Sequence, residues 1–159
     1  MDRFISSTGA QLSPAQVVSE VLAFMRADVR RKYTLIIGTD SQRKNDNTAD
    51  FVTAVVVHRV GNGGRYFWRR VLAHRKFYNL HDRMIEEALI SIAVAKDILV
   101  VAKSARLPAF DFEIHVDVGE NGATKSVIQE VTAMVRANDF EVKTKPHSYA
   151  ASKVADRHV

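Results

Sequence analysis

The stretch Tyr33-Thr-Leu-Ile-Ile-Gly-Thr39-Asp40-Ser41-Gln42 is the part of the sequence that decides the fold. Its apolar run from Tyr33 to Thr39 is nearly continuous and rich in β-branched residues, which is typical of a strand covered on both faces. Asp40 follows the run directly. We therefore expect a central strand of a sheet, with a carboxylate at its carboxyl end.

The patterns on either side predict a three-stranded meander followed by alternating helices and strands. Before the central strand, Ser13-Pro14-Ala-Gln16 predicts the capped start of a helix over 13–31. After it, two β-type runs joined by Gly61-Asn-Gly-Gly64 predict a hairpin. Periodicity then predicts strands over 51–60, 65–73, 112–118 and 140–145, and helices over 81–97 with an extension to 101 or 103, 124–136 and 148–158.

These elements predict an α/β fold with a mixed five-stranded sheet in the order βββαβαβα, helices on both faces and an extra N-terminal helix. We expect residues 1–159 to form a single domain, with 1–32 as an N-terminal extension and 33–159 as the core, because no linker or repeat interrupts the chain. In such a sheet the first core strand and the strand from Phe112 lie side by side. A ligand site is expected where those two strands end.

Composition narrows the possible chemistry and location. The 159 residues include no Cys, which excludes disulfides, thiolate zinc sites and cysteine nucleophiles and fits the reducing cytoplasm. No apolar stretch is long enough for a membrane span or a signal core. With 23 basic and 18 acidic residues the net charge is +5, which favours a polyanionic partner.

Carboxylates stand at the positions where a ligand site is expected. Asp40 and Asp117 each follow an apolar strand. Either Asp alone fits a loop cap or an arginine partner, but two buried carboxylates at adjoining strand ends are costly unless something such as a cation compensates them. Glu86 or Glu87, early in the helix from residue 81, and Asp156 near the chain end could reach the same place, and periodicity does not choose between the two glutamates.

With these elements and carboxylates in this order, the chain resembles the YkuK-type ribonuclease H-like proteins. The resemblance covers about residues 33–158 and rests on four motifs: Ile37-Gly-Thr-Asp-Ser-Gln42, His115-Val-Asp-Val-Gly-Glu-Asn-Gly-Ala-Thr-Lys125, Lys145-Pro-His-Ser-Tyr-Ala-Ala-Ser152 and Ala155-Asp-Arg157. It implies a ribonuclease H-like fold and a metal-dependent nuclease whose catalytic metal ligands are Asp40, Glu87, Asp117 and Asp156. Glu87 is preferred to Glu86 because its spacing to Ser91 is similar to that in the family's helix.

The implied cofactor is two Mg²⁺ or Mn²⁺ ions about 3.5 to 4 Å apart, an arrangement that activates water and stabilises the charge formed in phosphodiester cleavage. We expect Asp40 to bridge the ions, Asp117 and Glu87 to bind one of them and Asp156 to complete the other. The expected partner is RNA, DNA or a hybrid. Basic residues that could contact its phosphates are Arg43, Lys44, Lys125, Lys145 and Lys153.

Other functions compete with this one. The segment Gly119 to Ser126 resembles a nucleotide phosphate loop, but it has Thr124 where that loop needs a glycine before the lysine. Aromatic residues at 66–68, 77 and 78 could stack on bases, although alternation with arginine is more often half core and half surface. The main alternative is a non-catalytic nucleic-acid-binding or assembly module that keeps the acidic centre as a vestige or a structural cation site.

Overall fold

The structure is a computed structural model that describes residues 3–159, apart from the side chains of residues 151 and 152. A 3₁₀ turn (Lys125–Val127) precedes the third helix, and the chain closes in a terminal segment made of a π-helical turn (Ala150–Val154) and a 3₁₀ turn (Ala155–His158). The regular elements are β1 (Phe4–Ser6), β2 (Gln11–Leu12), α1 (Pro14–Arg26), β3 (Tyr33–Arg43), β4 (Ala49–Arg59), β5 (Gly64–Ala73), α2 (Leu80–Ala105), β6 (Asp111–His115), α3 (Ile128–Ala137) and β7 (Glu141–Lys143).

The sheet is mixed, as expected, but it has seven strands in the order β2-β1-β5-β4-β3-β6-β7 and not five. Strands β3, β4 and β5 pair antiparallel, and β6 and β7 follow parallel to β3. The additional strands are β1 and β2, a hairpin that pairs with the outer edge of β5. They have three and two residues, which is too short for an alternating pattern to be visible in the sequence.

Side chains of β3 pack on both faces of the sheet, which explains its nearly continuous apolar run. Leu35 and Ile37 belong to a core shared with α1, α2 and α3. Ile36 belongs to a second core, which the terminal segment completes with Ala150 and Ala155. No helix among the described residues is long and apolar enough to span a lipid bilayer.

Helix α1 begins at the predicted capping box. The Ser13 hydroxyl accepts a hydrogen bond from the backbone of Gln16 at 3.2 Å, and the Gln16 side chain accepts one from the backbone of Ser13 at 2.8 Å. The helix ends at Arg26, however, before the predicted end at residue 31. The Tyr33 hydroxyl donates to the carbonyl of Asp28 at 2.6 Å, and this bond ties the segment after α1 to the start of β3.

Several later elements differ from the predicted ones. Strand β6 ends at His115 and β7 at Lys143, so both are shorter than expected. The predicted helix over 124–136 starts with a 3₁₀ turn because Thr124 accepts a hydrogen bond from the Gly119 amide, at 3.1 Å, and does not cap a helix. In place of the predicted helix over 148–158, the structure has the irregular terminal segment. There the Ala150 amide donates a hydrogen bond to the His115 ring and not to a helical carbonyl.

A cluster of three buried hydroxyls fixes α2 against the sheet. The Thr39 hydroxyl of β3 lies 2.7 Å from the Ser91 hydroxyl of α2 and 2.9 Å from the Thr53 hydroxyl of β4. All three side chains are buried. Because Ser91 lies one helical turn after Glu87, the hydroxyl cluster also determines where the Glu87 side chain meets β3.

We expect Ser91→Ala to lower the free energy of unfolding by about 1–2 kcal/mol, because it removes one buried hydrogen bond and leaves the Thr39 hydroxyl with a single partner. Denaturant titration measures this change. Ser126→Ala is the control, since that serine is exposed and its loss should change stability by less than about 0.5 kcal/mol. Equal stability of the two variants would show that the hydroxyl cluster does not hold α2.

Candidate active site

Asp40 lies inside β3 and not at its end, which corrects the expected position. The pairing of β3 with β4 continues past Asp40 to the pair Arg43 and Ala49, so the backbone around the carboxylate stays extended. The Asp40 side chain is half-buried and hydrogen-bonds to Asp156 of the terminal segment. A regular strand therefore holds this carboxylate in place, where the end of the strand was expected.

Asp117 lies in the loop that follows β6, because the strand ends two residues before it. Its neighbours Val116 and Val118 are buried, whereas the Asp117 side chain keeps 22% of its surface exposed. Two backbone hydrogen bonds fix the loop: Val116 donates to the Lys143 carbonyl at 3.0 Å and Lys145 donates to the Val118 carbonyl at 2.8 Å. The parallel pairing of β3 and β6 brings this loop beside Asp40.

The two glutamates at the start of α2 have different environments. Glu87 is 5% exposed and interacts with the charges of Asp40 and Asp117. Glu86 instead accepts a hydrogen bond from the Arg75 guanidinium at 3.1 Å. The structure thus brings Glu87 to the other acidic residues and directs Glu86 towards an ion pair. The assignment of a catalytic role to Glu87 stays a prediction.

Asp156 completes a group of four carboxylates, which we call the acidic cluster: Asp40, Glu87, Asp117 and Asp156. The residue is exposed on the last 3₁₀ turn, yet its carboxyl group hydrogen-bonds to Asp40. Its position depends on how the terminal segment is attached. Ala150 and Ala155 are buried against the sheet, and the His158 ring stacks on Trp68 at 4.2 Å.

His115 attaches the start of the terminal segment. Its ring is fully buried, and its Nδ1 accepts a hydrogen bond from the Ala150 amide at 3.2 Å. The ring proton must then be on Nε2, which donates to Glu113 at 2.8 Å. Burial lowers the pKa of His115, which keeps the ring neutral and able to accept from Ala150. His115 is therefore a structural link between β6 and the segment that carries Asp156.

The charges of the acidic cluster oppose one another. Burial raises the pKa of Asp40 to about 7, and the hydrogen bond with Asp156 and the charge of Asp117 act in the same direction. Burial, followed by the charges of Asp40 and Asp117, raises the pKa of Glu87 well above its ordinary value. Arg83, one turn before Glu87, and the Ser41 hydroxyl only partly oppose this shift. Without a cation the cluster therefore retains protons near neutral pH.

The donor set of the acidic cluster fits a hard divalent cation. Every candidate ligand is a carboxylate oxygen, the type that Mg²⁺ and Mn²⁺ prefer. Oε1 of Glu87 is buried and has no hydrogen-bond partner in the part of the chain that is described, so it could accept a cation. Within residues 3–159, however, no three Asp, Glu or His side chains are already arranged to hold a metal ion. The cluster is open and does not form a complete ligand shell.

The five predicted phosphate-binding residues have different surroundings. Arg43, Lys125 and Lys153 are exposed, and the Lys44 ammonium lies 3.4 Å from Asp50. The Lys145 ammonium lies 3.3 Å from Oδ1 of Asp117, inside the candidate site itself. Two cavities of about 440 and 520 Å³ lie on either side of the loop after Asp117, one beside Lys125 and the other beside Lys145.

Most of the aromatic residues considered for base stacking are structural. Phe67 and Phe77 are buried, and Trp68 is covered by His158. Tyr78 is 68% exposed. The alternation of aromatic and basic residues along β5 therefore reflects one packed face and one solvated face.

Sequence reasoning missed Arg83 and Ser41, and it predicted Lys145 as a phosphate contact but not as the partner of Asp117. Arg83 acts on Glu87 from one helical turn away, and the spacing of four residues is a signal that could have revealed it. The contact of Ser41 with Glu87 and the ion pair between Lys145 and Asp117 join distant parts of the chain. No local pattern marks such contacts.

Comparison with known proteins agrees with this arrangement of elements. A family model described as Ribonuclease H-like matches residues 16–159. The chain is similar to the uncharacterized protein YkuK of Bacillus subtilis (strain 168), with 32% identity over 164 residues that cover 97% of this chain and 95% of the relative. No solved structure gives a significant match.

The raised pKa of Asp40 predicts a pH dependence of stability when divalent cations are chelated. The folded protein keeps a proton on the Asp40 carboxyl group up to about pH 7, whereas the unfolded chain releases it near pH 3.8. The contribution of protonated Asp40 to the free energy of unfolding is therefore fully present below about pH 4 and is lost as the pH rises through 7. We expect the melting temperature of the wild type in EDTA to fall between pH 5 and pH 8, and Asp40→Asn to reduce that fall.

Asp139→Asn is the matched control for this measurement, because Asp139 is exposed and has the left-handed φ of 63° that asparagine tolerates well. It should keep the pH dependence of the wild type. The same melting profile in Asp40→Asn and in the wild type would contradict the assigned protonation of Asp40.

Proposed function

The chain belongs to the YkuK-type ribonuclease H-like family, and on this premise we propose that it is a metal-dependent nuclease that hydrolyses phosphodiester bonds in nucleic acid with two Mg²⁺ or Mn²⁺ ions. One observation carries the proposal. Glu87 is buried beside Asp40 and Asp117, and its Oε1 has no hydrogen-bond partner within the described residues. A buried carboxylate among like charges is costly, and a divalent cation would relieve that cost.

The acidic cluster supplies the proposed ligands: Asp40, Glu87, Asp117 and Asp156. When bound, the ions would supply an activated water and stabilise charge on the phosphate and the leaving oxygen. The chain itself orients the carboxylates. Strand β3 holds Asp40, the hydroxyl pair of Ser91 and Thr39 places Glu87, and the backbone bonds around Val118 place Asp117.

The net charge of +5 and the position of the basic residues support a nucleic-acid substrate. Lys125 and Lys145 lie beside the two cavities that flank the loop after Asp117, where they would contact phosphates near the acidic cluster. Exposed Arg43, Lys44 and Lys153 would extend this contact. The proposal covers RNA, DNA or a hybrid, and it keeps the cytoplasmic location expected from the absence of Cys.

A second function is favoured by one observation. Among residues 3–159, no three potential ligands are already arranged to hold a metal ion. This lack of an arranged site is what we expect of a binding or assembly module with a vestigial acidic centre. The two functions differ in what happens once cations are added. The nuclease binds them and cleaves, whereas the module binds nucleic acid without cleavage.

Saturating Mg²⁺ or Mn²⁺ should raise the melting temperature, because the ions bind the folded state and relieve repulsion among the carboxylates. At 100 times the dissociation constant the expected rise is about 5 °C or more. Asp40→Asn should remove most of the rise, and Asp139→Asn, which makes the same charge change outside the cluster, should retain it. A wild-type melting curve unaffected by either ion, together with no heat in calorimetric titration, would overturn the metal site.

The nuclease itself is tested with labelled hybrid, duplex, single-stranded and branched substrates in Mn²⁺. Asp40→Asn, Asp117→Asn and Glu87→Gln should lower the cleavage rate at least about 100-fold while nucleic-acid affinity stays similar or rises slightly, because the ligands act mainly on the transition state. Glu86→Gln should stay near the wild type. Asp156→Asn should be intermediate, since water can replace a ligand on an exposed turn.

Two results would contradict the proposal in different ways. If all of these variants cleave like the wild type, the activity lies elsewhere in the preparation. If the wild type binds nucleic acid and cations but cleaves no class of substrate, the binding module is the correct function.

A further inference from the structure

Lys145 forms an ion pair with a member of the acidic cluster. Its ammonium lies 3.3 Å from Oδ1 of Asp117, and the Lys145 and Asp117 side chains keep 47% and 22% of their surface exposed. Arg83 also acts on the cluster, through Glu87. Lys145 and Arg83 thus act on different carboxylates.

The backbone and a glycine hold Lys145 in this position. The Lys145 amide donates to the Val118 carbonyl at 2.8 Å, which anchors the residue beside the loop that carries Asp117. The stem of the side chain then crosses Gly119. A Cβ atom on Gly119 would lie 3.0 Å from Cβ and 3.5 Å from Cδ of Lys145, so only glycine lets the stem pass this closely.

The ammonium approaches Oδ1 of Asp117, so a cation that bound through this oxygen would compete with it for the same position. A lysine cannot replace a divalent ion, because it brings one charge and pairs with a single carboxylate, whereas a divalent ion can be shared by several. The Lys145 side chain is half exposed, and although Oδ1 of Asp117 is buried, the 3.3 Å contact does not have the geometry of a hydrogen bond, so the pair contributes little to stability. A divalent cation can therefore displace the ammonium at a small cost.

We propose that Lys145 is a resident counter-ion of the acidic cluster, which neutralises Asp117 in the cation-free protein and competes with divalent cations for that carboxylate. The inference rests on the proposed function only in taking the cluster to be the cation site. Once displaced, the ammonium has space in the adjoining cavity of about 520 Å³, lined by Gly119, Glu120, Asn121, Thr144, Lys145 and Pro146. There it is available for the phosphate contact assigned to it above.

The test is calorimetric titration of the full chain with Mn²⁺ in the absence of nucleic acid. Lys145→Met removes the charge and keeps most of the stem, so it should bind Mn²⁺ about two- to fivefold more tightly than the wild type. Lys145→Arg keeps the charge and should stay close to the wild type. Lys145→Gln also removes the charge and should tighten binding in the same direction, which provides a second variant if Lys145→Met folds poorly.

Lys143→Met is the matched control. It makes the same change of charge two residues away, but the Lys143 ammonium pairs with Glu141 at 3.2 Å and not with the cluster. Its affinity for Mn²⁺ should stay within about 1.5-fold of the wild type, because surface charges are screened by salt. If Lys145→Met binds Mn²⁺ with the same affinity as Lys143→Met, or more weakly than the wild type, the proposed role of Lys145 as a counter-ion is wrong.

The two proposals fail in distinguishable ways. If the wild type binds no Mn²⁺ at all, the proposed metal centre is wrong, and the proposed role of Lys145 as a counter-ion is wrong with it. If the wild type binds Mn²⁺ and Lys145→Met does not bind it more tightly, only the role of Lys145 is overturned. Melting curves of all variants in EDTA check that each is folded.

Discussion

The constraint on which the rest of the structure depends is the repulsion among carboxylates that the fold holds together. Asp40 and Glu87 both have raised pKa values because burial and neighbouring negative charges disfavour their ionised forms. The surrounding structure has to resist this repulsion. Pairing of β3 with β4 along the whole length of β3 and the buried hydroxyl bond from Thr39 to Ser91 do so, since neither strand nor helix can move without breaking buried hydrogen bonds.

The parts of the fold that repeat a local pattern could be predicted from the sequence. The capping box at Ser13 and the two-sided burial of β3 are such cases, because each depends on residues within a few positions of one another. Strands β1 and β2 could not be predicted, because they are too short for periodicity and exist through pairing with β5. The irregular terminal segment depends on the His115 ring, thirty-five positions away from Ala150.

The same difference between local patterns and long-range contacts decides which parts of the candidate site could be predicted. The sequence indicated Asp40 and Asp117 because each follows an apolar run, although the structure places one inside a strand and the other in a loop. Between Glu86 and Glu87 periodicity made no choice, and the difference depends on tertiary contacts: Arg75 binds the first, and Asp40 and Asp117 face the second. The pairing of Lys145 with Asp117 was hidden for the same reason, since the two residues lie on different loops that only the parallel sheet brings together.

The openness of the acidic cluster and the position of Lys145 have a common physical basis. Four carboxylates without a cation repel one another, so a closed ligand shell would be the least favourable arrangement in the free protein. Protons on Asp40 and Glu87 and the ammonium beside Asp117 neutralise the cluster in different ways. A divalent cation would replace all of these positive charges at once. Cation binding would then release protons from one side of the cluster and a lysine from the other, and the freed lysine would stand beside the cavity where a phosphate is expected.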